Sequence, residues 1–179
     1  MAGYERSYLV MTEKELHNRP AGSMAAAALI FAGAVLLDQI TKYMAASRLK
    51  PARRVSLIPS VLELQYLENR GAAFGMLENR QWIFILFACV IMAGCCVYGL
   101  RLPRSRKFIP MKLCLVFLSA GALGNMIDRI WHNYVIDFIY FSCINFPIFN
   151  VADIYVTVSV TVLVILVLFY YRDEDYEKH

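Results

Sequence analysis

The chain has 179 residues, 59% hydrophobic and only 18% charged, with a formal net charge of +4 and a mean hydropathy of +0.51. A soluble domain carries about 25% charged residues, so composition and length point to a single compact membrane domain. The mild positive charge suits anionic lipid headgroups, and the lack of a basic patch with interleaved aromatics excludes nucleic acid as a partner.

A polar tail, residues 1–22, precedes the first apolar segment. Residues 24–46 open with a fourteen-residue apolar run that ends at Asp38-Gln39. A secretory leader would be uncharged where Asp38 and Lys42 fall, and the preceding tail carries Glu5, Glu13 and Glu15. This segment therefore reads as a span rather than a leader. Next comes an outer loop. Residues 55–58 are extended, Pro59-Ser60 forms a turn, and 61–67 alternates Leu62, Leu64 and Tyr66 against Glu63 and Gln65. That period of two predicts a small hairpin within a β-loop of about 55–75.

The second span, 82–100, is nineteen apolar or small residues in a row. The third covers about 108–129, apolar over 108–127 apart from Lys112, Ser119 and Asn125. The fourth covers about 152–171, with Thr157, Ser159 and Thr161 as weak polar breaks. About 20 apolar residues cross the roughly 30 Å of hydrocarbon, so the expectation is four transmembrane helices. Residues 172–179 form a second polar tail, expected to be mobile like the first. Of the five cysteines, Cys89, Cys95, Cys96 and Cys114 lie in apolar runs. There is no Cys-x-x-Cys and no zinc spacing, so they read as small core hydrophobes.

The loop from Arg101 to Lys107 has four basic residues and no acid, which places it and both termini in the cytoplasm. The opposite side is nearly as basic, with seven Lys/Arg against nine, so the charge rule favours this orientation only modestly.

In that topology the polar clusters converge on one face. They are Asp38-Gln39-Ile40-Thr41-Lys42, then Asn69 to Gly75, then Gly121 through Arg129 and on to Asp137, and finally Asn150-Val151-Ala152-Asp153. Each has a purely structural reading. Asp38 and Lys42 pair at i, i+4, and Asp128-Arg129 is a terminal ion pair. Gly121 and Gly124 allow close packing. Asn69 opens a turn, Asn150 caps a helix, and Asp153 sits in a favourable helix dipole. Asp137, among Val135, Ile136, Phe138 and Ile139, has no cation nearby in sequence. Two carboxylates sharing a proton are a water-activating device.

Together the motifs resemble lipoprotein signal peptidase (signal peptidase II). They are Asp38-Gln39-x-Thr41-Lys42, Asn69-x-Gly71-Ala72-Ala73-Phe74, Gly121-Ala122-Leu123-Gly124-Asn125-x-x-Asp128-Arg129, Val135-x-Asp137-Phe138 and Phe149-Asn150-x-Ala152-Asp153. Five in the family's order, over residues 38–153, make a specific match.

The resemblance implies an all-α membrane fold with four transmembrane helices and a small extracytoplasmic β-structure between helices 1 and 2. It implies an aspartic endopeptidase of the bacterial cell membrane, with its active site toward the outer face. The catalytic pair would be Asp137 and Asp153. Asn69, Gly71, Asn125, Asp128, Arg129 and Asn150 would surround that pair or bind substrate, with Asp38 and Lys42 in support. The substrate would be a prolipoprotein cleaved on the amino side of a diacylglyceryl-modified cysteine. Separately from the resemblance, the expectation is a monomer in contact with membrane lipids, needing no metal or cofactor. Ile154 and Ser159 depart from the family's usual Ser and Gly, away from the pair.

A small ion- or proton-coupled membrane carrier using Asp38, Lys42, Asp128 and Asp153 is the main alternative, and a non-catalytic membrane subunit is a third. The acids lie near one face, and no inverted repeat is visible.

Overall fold

The computed structural model describes residues 21–52, 54–71 and 80–177. Ala72, Ala73, Phe74 and Gly75 of the expected β-loop lie outside the described residues. So do residues 1–20 and 178–179 of the two tails.

Helix α1, Ala21–Met44, continues through a π-helical turn, Ala45–Leu49, and on to Ala52. It thus runs past its expected end near residue 46. The reason is tertiary: Ala45 and Leu49 are buried in a cluster with Ile136 and Phe138, which holds the chain helical through the polar Ser47-Arg48. Helices α2, Gln81–Arg101, and α3, Ile109–His132, follow, then α4, Val151–Ile165, extended by a second π-helical turn, Leu166–Tyr170. Among the described residues four helices are long and apolar enough to cross a membrane: Met24–Ala52, Gln81–Arg101, Arg106–His132 and Val151–Tyr170. Their outer faces carry large bare hydrophobics such as Leu29, 74% exposed, and Phe169, 82% exposed. Apolar surface on that scale belongs against lipid.

Helix α3 is central and packs on the other three. It begins with Pro110, whose missing N–H costs nothing there. It ends at Asn133, whose left-handed φ of 62° stops the helix while its N–H bonds to Arg129.

Strands β1, Arg54–Ile58, and β2, Leu62–Asn69, form the expected hairpin between α1 and α2. A third strand, β3, Val135–Phe141, comes from the α3–α4 connection and pairs antiparallel with β2, giving the order β1-β2-β3. The sequence reading had no strand there. β3 carries a nearly continuous apolar run, which periodicity alone does not distinguish from a helix edge. On its other side β3 bridges Phe149, whose carbonyl accepts the N–H groups of Phe138 and Ile139. That bridge brings the start of α4 beside the middle of β3.

The opposite end of the bundle is closed by Leu102, Phe108, Met111, Leu115 and Tyr171. The described part of the C-terminal tail is not loose. It forms a short helix, α5, Asp173–Glu177, tied by Lys107 to Asp175 at 2.6 Å and by Tyr176 edge-on to Phe108.

Candidate active site

All ten residues singled out in the sequence meet at the sheet end of the bundle. Asp137 stands on β3 and is 2% exposed. Its carboxylate accepts the Asn69 side-chain amide at 2.9 Å and the Asn150 amide at 2.6 Å. Asn69 reaches it because β2 changes register against β3 between Leu64 and Leu67. This irregularity sets Asn69 opposite Val135, diagonal to Asp137 on the same face.

Asp153 is half-buried in the first turn of α4. It accepts the Asn125 amide at 2.8 Å and the Asn150 backbone N–H at 3.1 Å. Asn150 in turn accepts the Asp153 N–H at 3.0 Å, completing a capping box. The helix-cap reading of Asn150 therefore holds, but the same residue also donates from its side chain to Asp137. One asparagine touches both carboxylates.

Three asparagine amides surround the pair, and donor-only groups fix the orientation of each. The Asn69 oxygen accepts the Gly71 N–H at 3.1 Å, so its NH₂ faces Asp137. The Asn150 oxygen accepts the Asp153 N–H, so its NH₂ also faces Asp137. The Asn125 oxygen accepts the Lys42 ammonium at 2.9 Å, so its NH₂ faces Asp153.

Beneath the pair lies a buried ionic cluster. Lys42 bonds Asp38 at 2.9 Å and Asp128 at 3.1 Å. The i, i+4 pair is therefore real, but Asp128 pairs with Lys42 rather than with its neighbour Arg129. Asp38 accepts the Ala152 N–H at 2.9 Å, and Asp128 accepts the Ile136 N–H at 3.0 Å. Gln39, absent from the sequence-derived site, donates to Asp38, Asp128 and the Gly124 carbonyl at 3.1–3.2 Å. Its place inside the first motif was the available signal. Arg129 donates to the Asn125 carbonyl at 3.1 Å and stacks on Phe84 at 4.5 Å. Gln81 at the head of α2 donates to the Arg70 carbonyl at 2.6 Å, beside the buried Gly71, and sequence reasoning passed it over.

The electrostatics act on the Asp137 carboxyl. Burial, with the Asp153 charge behind it, pushes the Asp137 carboxyl up to about 7, against the pull of its two amide donors. Asp153 instead occupies the start of a helix, where the dipole favours an anion. The arrangement sets two carboxyls, joined through Asn150, on neighbouring elements at one end of the helix bundle.

Comparison with known proteins agrees. The family model for Signal peptidase (SPase) II matches residues 29–169. A lipoprotein signal peptidase of Symbiobacterium thermophilum is 46% identical over 132 residues, 73% of this chain and 86% of that protein. One from Brevibacillus brevis is 41% identical over 137 residues, covering 76% and 91%. A bacterial membrane enzyme solved by the in meso method at 2.3 Å superposes with a TM-score of 0.71 at 31% identity, covering 87% of this chain and 94% of that one.

Fold and relatives together define a multi-pass membrane peptidase. The chain belongs to the signal peptidase II family.

Proposed function

We propose that the chain is an aspartic endopeptidase that removes signal peptides from diacylglyceryl-modified prolipoproteins. Cleavage falls on the amino side of the lipidated cysteine. The observation that carries this reading is Asn150, which bonds Asp137 through its side chain and Asp153 through its backbone. The names of the relatives support the lipoprotein substrate.

The two carboxyls hold one water between them. Asp153, ionised, takes the water's proton as general base. Asp137, protonated, donates a hydrogen bond to the scissile carbonyl oxygen and stabilises the developing oxyanion. The tetrahedral intermediate then collapses, and the proton held on Asp153 passes to the departing cysteine nitrogen. Like charges at close range do not both ionise cheaply, so the apparent pKa values belong to the pair. No covalent intermediate is needed. The sheet end faces the outside of the cytoplasmic membrane, and the basic Arg101–Lys107 loop and both termini face the cytoplasm. Signal helix and lipid chains stay in the bilayer while the scissile bond reaches the outer interface. The enzyme acts as a monomer among membrane lipids.

The test is cleavage of one prolipoprotein by the detergent-purified protein, with and without the diacylglyceryl group. Cleavage of the lipidated form alone supports the assignment, and cleavage of neither form by folded protein overturns it. In the same assay Asp137→Asn and Asp153→Asn should each abolish turnover, and substantial activity in either folded variant sinks the pair.

A further inference from the structure

We propose that Lys42 is a positioning residue that sets the separation of the two active-site carboxyls. It does so by clamping Asp38 to Asp128. The inference rests on the reading of Asp137 and Asp153 as the catalytic pair.

The argument is a symmetry in the hydrogen bonds. Asp38 holds the backbone N–H of Ala152, the residue immediately before Asp153. Asp128 holds the backbone N–H of Ile136, the residue immediately before Asp137. Each member of the catalytic pair is thus preceded by a backbone group anchored on a buried carboxylate. Lys42 bridges those two anchors at 2.9 and 3.1 Å. Its third N–H goes to Asn125, whose amide faces Asp153. An ammonium has three donors, and all three are spent on groups one step from the pair.

Burial makes the clamp stiff. Asp38 is 0%, Lys42 1% and Asp128 1% exposed. Without the cation the two anchoring carboxylates repel one another in a dry interior. Gln39 alone would then join them. Their separation carries Ile136 with β3 and Ala152 with α4, and the catalytic carboxyls follow. A buried ion pair is weak ground for stability in itself, whereas a displacement of about 1 Å at reacting groups costs about 10²-fold in rate.

The experiment compares Lys42→Met and Lys42→Arg with the parent protein in detergent, using a lipidated prolipoprotein over a range of pH. The charged groups facing the pair are Lys42 and Asp38 from α1 and Asp128 and Arg129 from α3, with Tyr155 of α4 near Asp38. The expectation for Lys42→Met is a fall in kcat of about 10²-fold with KM within a few-fold. Both limbs of its pH–rate profile move, through the lost Lys42 charge on Asp137 and through the changed spacing of the carboxyls, and Lys42→Arg, which keeps the charge, isolates the spacing. Lys42→Arg restores part of kcat and moves the limbs back toward the parent positions. If Lys42→Met does not accumulate as folded protein, Lys42→Arg carries the test alone. Its planar fork cannot reproduce the three-way bond, so it should show a smaller displacement of the limbs with reduced kcat. Loss of kcat with an unmoved profile, or unchanged kcat, overturns the proposal. Failure of the underlying pair reads differently: Asp137→Asn or Asp153→Asn would then retain turnover.

Discussion

Asp137 is a buried carboxyl whose folded form prefers its proton. Its value is raised from an ordinary 3.8 to about 7, so the folded state binds that proton more tightly than the unfolded chain. Folding therefore pays no penalty for it below about pH 4, and stability is lost as pH rises toward 7. Asp137→Asn removes the titration. Relative to the parent, the variant's melting temperature should rise from pH 4 to pH 8, over a constant loss from the amide NH₂ it turns toward one of the two donors, as thermal unfolding in detergent would show. On the proposed mechanism parent turnover should fall as pH rises through about 7, because a deprotonated Asp137 would no longer donate to the scissile carbonyl. Asn150 separates two roles in one side chain. Asn150→Asp keeps the cap but sets a second buried acid against Asp137 in place of an amide donor, and should lose more than tenfold in kcat and melt at a lower temperature than the parent. Asn150→Ala should lose both activity and about 1 kcal/mol of stability, read by chemical denaturation. Of these residues the sequence named every one. It could not supply their partners, because Asn69 and Asp137 lie 68 positions apart in the chain.

At the scale of elements, α3 decides how closely the helices approach. An added Cβ at Gly121 would lie 2.5 Å from the Ala152 carbonyl oxygen, and at Gly124 2.4 Å from the Asp38 carboxylate. Among the described residues no neighbouring element comes within 4 Å of a Cβ added at Gly33 or Gly94. Gly121→Ala and Gly124→Ala should therefore cut the yield of folded, active protein and lower its melting temperature. Gly33→Ala and Gly94→Ala should leave both as they are, and size-exclusion profiles with a melting curve check all four. The Gly121-Gly124 spacing was visible as a packing signal, and the hairpin was visible in the alternation before Leu67. β3 was not, because pairing with β2 and bridging to Phe149 turn an apolar stretch into a strand. The helical end of the chain was hidden similarly: α5 folds because Tyr171 stacks on Phe108 and Tyr176 meets its edge.

For the whole molecule the proposed orientation puts the sheet end outside. Cys143 is exposed near the end of β3, on the sheet end. With that end outside, a membrane-impermeant maleimide should label intact spheroplasts, and Cys143→Ser should abolish that labelling. Labelling that appears only after permeabilisation would reverse the orientation. The sequence by itself determined the four spans, because hydrocarbon thickness sets their length and apolar character residue by residue. It also singled out ten of the residues that gather at the sheet end, because polar groups are costly near lipid and stand out in an apolar chain, though it passed over Gln39 and Gln81. Only the tertiary structure decided that Asp137 rides on a strand, that Asn150 links it to Asp153, and that Lys42 rather than Arg129 pairs with Asp128. Those facts are contacts between distant segments, fixed when α1, α3, β3 and α4 pack together, and no local pattern encodes them.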